Sequence, residues 1–110
     1  MVAELTLGEA QEEYAGVAAG NAVLSGIAAG DANCDKGLRK YFRGDDHRQA
    51  AELLESASSD GIKNKNSLTR LLDLKEAAHY GLGEFSKTDA RKAVRLAREL
   101  VTSAETFIQN

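Results

Sequence analysis

The stretch SKTDARKAVRLARELVTSAETFI, residues 86–108, decides the fold. Its apolar residues Ala90, Ala93, Val94, Ala97, Leu100, Val101, Ala104 and Ile108 recur at steps of three and four. That spacing puts them on one side of an α-helix (helix D), whose period is 3.6 residues. Ser86, with Asp89 three positions on, has the form of a capping box. Phe85 is placed as a staple onto Ala90. One amphipathic helix cannot bury its own stripe, so other helices must cover it.

Working outward from this helix, the remaining segments read the same way. Helix C starts at the capping residue Ser67 and carries Leu68, Leu71, Leu72, Leu74 and Ala78 on its apolar side. It ends at Tyr80-Gly81-Leu82, a glycine C-cap followed by an apolar residue. A polar loop, Ser58 to Asn66, precedes it. Helix B starts behind Asp46, with Gln49 able to reach back to the cap, and presents His47, Ala50, Leu54 and Ala57. A basic connector, Asp35 to Gly44, precedes helix B. Helix A runs from about Leu7 to about Cys34 on a stripe of Leu7, Ala10, Tyr14, Val17, Leu24 and Ala28, continued by Asn21 and Asp31. Its glycine pairs, Gly16/Gly20 and Gly26/Gly30, let another backbone come close. Each glycine costs about 1 kcal/mol against Ala in a helix interior, so helix A either runs through or breaks near Gly20–Asn21. Short connections make neighbouring helices antiparallel. The expectation is a single all-α domain over residues 1–110, a four-helix up-and-down bundle.

Composition agrees. Apolar residues make up 43% and charged residues 28% of the chain, with no proline. Ala and Leu dominate the apolar set, and both favour helices. A single cysteine, Cys34, excludes an internal disulfide and fits a reducing, cytoplasmic setting. No base precedes Lys36, so a secretory signal with a basic start is not expected. The longest uncharged run, Tyr14 to Gly30, spans 17 residues rich in Ala and Gly, which does not make a membrane span. The formal net charge is −3, unevenly spread. Residues 1–35 hold six acids and no bases, whereas residues 36–110 carry a net of +3.

In an up-and-down bundle, the ends of helices A and C and the starts of B and D share one pole. That pole gathers Asp31, Cys34, Arg39, Arg43, Asp45, Asp46, His47, Lys75, His79 and Tyr80. Asp31 and Lys75 both lie on apolar stripes, and a buried charge needs a partner. They form either a structural pair or a polar pocket that orients His47. Beside a carboxylate, His47 has the chemistry of a general acid or base near neutral pH. Its plain alternative is a half-buried first-turn residue. His79, in a last turn, suits the negative end of the helix dipole. Asp31, Cys34, His47 and His79 are zinc-ligand types without a compact ligand spacing, so no metal and no cofactor are expected. Gly44 reads as a turn glycine, because the phosphate-loop pattern is missing. Lys87, Arg91, Lys92, Arg95 and Arg98 on helix D suit a solvated face, a face turned to Glu9, Glu12 and Glu13, or a track for a phosphate backbone. No DNA-binding motif is present.

Three stretches resemble the HEPN (higher eukaryotes and prokaryotes nucleotide-binding) superfamily of small helical bundles. They are Asn21 to Asp31, a small-residue helix with polar residues in its stripe; Arg43 to Leu54; and Leu71 to Gly81, followed by the Ser86-capped helix. The likeness covers roughly residues 20–108. It implies a bundle that often dimerises, with polar residues of two protomers meeting in a cleft. Many members bind nucleotides or cut RNA without a metal. The nucleases use an Arg followed four to six positions later by His. Here Arg43 and His47 have three residues between them and precede helix B rather than lying near the final helix. What carries over is the fold, the dimer and the nucleotide or RNA connection. The expected function is therefore a homodimeric nucleotide- or RNA-associated binding or interaction module. Its ligand would sit at Asp31, Arg43, Asp46, Lys75 and Tyr80. One alternative is a metal-independent, toxin-like ribonuclease with His47 as catalytic acid or base. The other is a structural, antitoxin-like complex subunit, whose sign would be an exposed apolar strip on helix A around its glycine pairs.

Overall fold

The computed structural model describes residues 7–41, 43, 44, 46–80 and 86–109, and within them the side chains of 14–77 and 86–109. The described residues form an all-α four-helix bundle: α1 (Leu7–Leu38), α2 (His47–Leu54), α3 (Gly61–Tyr80) and α4 (Lys87–Gln109). It measures 51 × 28 × 20 Å.

Helix α4 forms as its sequence dictates. The Asp89 amide donates to Ser86 Oγ at 3.0 Å, completing the cap. Ala90, Ala93, Ala97, Leu100 and Ala104 are buried, Val94 and Val101 are half-buried, and Ile108 is exposed. Phe85 lies outside the described residues. At the start of α2, Asp46 accepts from the Arg48 amide at 3.0 Å and from Gln49 Nε2 at 3.2 Å.

Helix α1 is continuous through Gly20 and extends past Cys34 to Leu38. It stops where Arg39 takes a positive φ of 59°, while its amide bonds back to the Asp35 carbonyl at 3.0 Å. The face it buries is not the expected one. Tyr14, Val17 and Leu24 are 77%, 63% and 67% exposed. Ala15, Ala19, Ala22, Val23, Gly26, Ala29, Gly30 and Cys34 face the core instead. The reason is steric. Gly26 lies against Leu71 and Leu100, and Gly30 lies against Leu68 and Leu54. The leucines of three helices reach the α1 backbone because no side chain stands in their way. Leu54, Leu68, Leu71 and Leu100 are fully enclosed there.

Helix α3 begins at Gly61, six residues before the expected cap at Ser67. The polar run that reads as a loop is drawn into the helix by α4. Buried Asn64 donates from Nδ2 to Ser103 Oγ at 2.9 Å, and buried Ser67 donates to Glu99 Oε2 at 3.4 Å.

These contacts also fix direction. The pairings of Gly26 with Leu71 and Gly30 with Leu68 run α3 opposite to α1. The Asn64–Ser103 and Ser67–Glu99 bonds run α4 opposite to α3. Helices α1 and α4 therefore run the same way. Their long shared contact takes Tyr14 past Lys87 and Gly26 past Leu100. Short α2 packs near the end of α1, where Gly37 has no room for a Cβ against the Ala57 carbonyl.

Candidate functional site

The expected common pole does not form. The end of α1 lies with the turn after α2, and the start of α4 lies at the opposite end, beside Tyr14. Asp31 and Lys75 do not pair, and Lys75 is exposed. From the contact of Gly26 with Leu71 the two helices run in opposite directions. Asp31 and Lys75 are thereby carried apart by about 13 Å along the axis, at 1.5 Å per residue.

Asp31 instead has His47 as a neighbour. Partial burial raises the Asp31 pKa, and His47 pulls it partway back. No hydrogen bond or ion pair joins the two among the described residues. Arg43 is exposed, its guanidinium stacked 5.3 Å from the centre of the Tyr41 ring. Asp46 is taken up by capping α2. The side chains of His79 and Tyr80 lie outside the described residues, as does Asp45.

The polar groups near this region serve the bundle. Arg48 bridges from α2 to Asp73 at 2.8 Å and Glu76 at 3.1 Å on α3. Cys34 is 2% exposed, and burial first, then the Asp31 charge, pushes its pKa up to about 11. A thiol held in that state is a poor nucleophile. Among the described residues, no three of His, Cys, Asp and Glu gather as metal ligands do.

A concavity lies elsewhere, between the first halves of α1 and α4. It is an open groove of about 660 Å³. Ala15, Ala18, Ala90 and Val94 form an apolar floor, and Tyr14 stands at one side. Lys87, Arg91, Arg95 and Arg98 form the other rim, all exposed. Their spacing of four, four and three keeps them on one flank of α4. They span about 16 Å at 1.5 Å per residue.

Comparison with known proteins returned no matching family model, no matching curated protein and no matching solved structure. Chemistry is therefore read from the groove itself. Guanidinium groups bind phosphate oxygens in a fork, and an exposed phenol ring offers a stacking surface for a flat base. The four bases were visible in the sequence. Tyr14 was not associated with them, because it lies 73 positions before Lys87 and reads as a core residue. Its partnership with α4 depends on α1 and α4 running the same way. Among the described residues, no helix is long and apolar enough to cross a membrane.

Proposed function

We propose that this protein is a non-catalytic binding module for a nucleotide-bearing ligand, with a short single strand of RNA as its longest form. The observation that carries this reading is the exposed Tyr14 ring on the same groove as Lys87, Arg91, Arg95 and Arg98. A row of cations beside an aromatic platform is the combination that holds single strands: the bases stack, and the phosphates meet the charges. The acidic total of the chain does not oppose this, because charges act locally at physiological salt. The resemblance to HEPN bundles implies the same ligand class, which supports the reading. Cleavage is not part of the reading. Among the described residues the groove lining holds no histidine or carboxylate, and proton transfer to and from the reacting oxygens needs such groups.

The test is fluorescence anisotropy with a labelled single-stranded RNA oligonucleotide across a salt series. Four phosphate contacts predict a log–log salt slope of about −3. Tyr14→Ala should weaken binding by about 1–3 kcal/mol. Arg91→Ala with Arg95→Ala should flatten the slope by about 1.4. Wild-type binding that ignores both changes, or no binding at low salt, would refute the reading. The RNA should stay intact with the wild type and with His47→Ala alike.

A further inference from the structure

We infer that α2 is a detachable flap, which opens as a unit over the Asn33–Cys34 stretch of α1 while α1, α3 and α4 stay packed. None of the residues involved lines the basic groove. The first support is topological. Helices α1, α3 and α4 each pack on the other two, whereas α2 packs on α1 and α3 and, among the described residues, does not reach α4. Lifting α2 therefore leaves a closed three-helix core, with Gly26 still filled by Leu71 and Leu100. Helix α2, by contrast, depends on its dock. It has eight residues, and isolated helices are marginal in water even at about 12–15.

The hold of α2 on the bundle is narrow. Its buried side chains are Ala50, Ala51 and Leu54, of which Leu54 alone is large. The rest of the hold is ionic and sits at the two ends of the helix. At the start, Arg48 meets Asp73 at 2.8 Å and Glu76 at 3.1 Å. At the far end, Lys65 meets Glu52 at 3.1 Å and Glu55, just past the helix, at 3.6 Å. All four carboxylates are exposed, so dissolved salt screens both clamps. What lies underneath favours opening. Gly30 meets Leu54, and Gly37 meets the Ala57 carbonyl. Asn33 and Cys34 lie between these two glycines on the same stripe of α1, and both are buried. Among the described residues, Asn33 Oδ1 has no hydrogen-bond partner. A buried acceptor left bare is destabilising, and lifting α2 gives it water. The two clamps offset that cost, so ions that screen or compete for them shift the balance between closed and open.

Thiol labelling with an aromatic disulfide reagent, at a concentration where the rate follows the open population, tests this. Ala93→Cys in a Cys34→Ala background supplies a reference thiol on α4, which α2 does not reach. Arg48→Ala with Lys65→Ala should speed the labelling of Cys34 roughly fivefold, and about 1 M salt should act in the same direction. Leu96→Ala, buried on α4, weakens the three-helix core alone. It should speed labelling of the reference thiol by at least ~30-fold and leave Cys34 within about twofold, with circular dichroism checking that each variant is folded. A urea series makes the same comparison without touching the core. The Cys34 rate should rise less steeply than that of the reference, because lifting α2 exposes less surface than unfolding does. Equal acceleration of both thiols by Leu96→Ala would overturn the inference. So would equal urea slopes, or a Cys34 rate that ignores the loss of both clamps.

Discussion

Cys34 shows what burial does to one titratable residue. Its thiol is enclosed near the end of α1, and its pKa rises from 9.0 to about 11. The native state therefore keeps its proton at a pH where the unfolded chain has lost it. Stability from this group is present below pH 9.0 and is lost as pH rises toward 11. Equilibrium unfolding across pH 8 to 11 should show a fall in stability that is shallower in Cys34→Ala. A slope that is the same in both proteins would assign the fall to other groups. A buried or semi-buried thiol is the plain reading of a lone cysteine with no histidine or asparagine signature of a nucleophile around it, although Asn33, Asp35 and Lys36 flank it. The burial of its neighbour Asn33 was not legible. Asn33 is 0% exposed, donates to the Ala29 carbonyl at 3.2 Å, and leaves Oδ1 without a partner among the described residues. Nothing in its sequence surroundings marks that amide as a core group.

Among the elements, α4 and α2 follow directly from their periodicity and caps. Helices α1 and α3 do not, for opposite reasons. In α3, Asn64 and Ser67 look like turn residues, yet they bond to Ser103 and Glu99 on a helix more than 30 positions away. In α1, the large apolar residues announce the helix but not its orientation. A face of Ala and Gly carries little hydrophobic signal, although it allows the closest approach. The glycine pairs give the test. Gly26→Ala would push a Cβ into Leu71 and should destabilise the bundle by about 1–3 kcal/mol. Gly16→Ala meets open space in a helix interior and should stabilise it by up to about 1 kcal/mol. Denaturant melts showing equal effects would mean that the two pairs share one environment.

For the whole molecule, what matters is which way α1 is turned. With its small face inward, leucines from α2, α3 and α4 converge on Gly26 and Gly30. The same rotation leaves Val17 and Leu24 outside and brings Tyr14 to the basic flank of α4. The candidate surface was therefore only partly readable: the bases on α4 and the glycine pairs are plain in the sequence, but the rotation that gives them roles is a tertiary fact. Adjacent residues report that rotation most directly. Val23 is buried and Leu24 is exposed, one step apart on the helix. Thermal unfolding of Val23→Asp and Leu24→Asp, at one low protein concentration, compares the two faces. Leu24→Asp should melt cooperatively near the wild-type temperature. Val23→Asp should lose several kcal/mol, about the cost of a buried unpaired carboxylate. The reverse order, with Leu24→Asp unfolded and Val23→Asp intact, would contradict the orientation of α1 and the groove that depends on it.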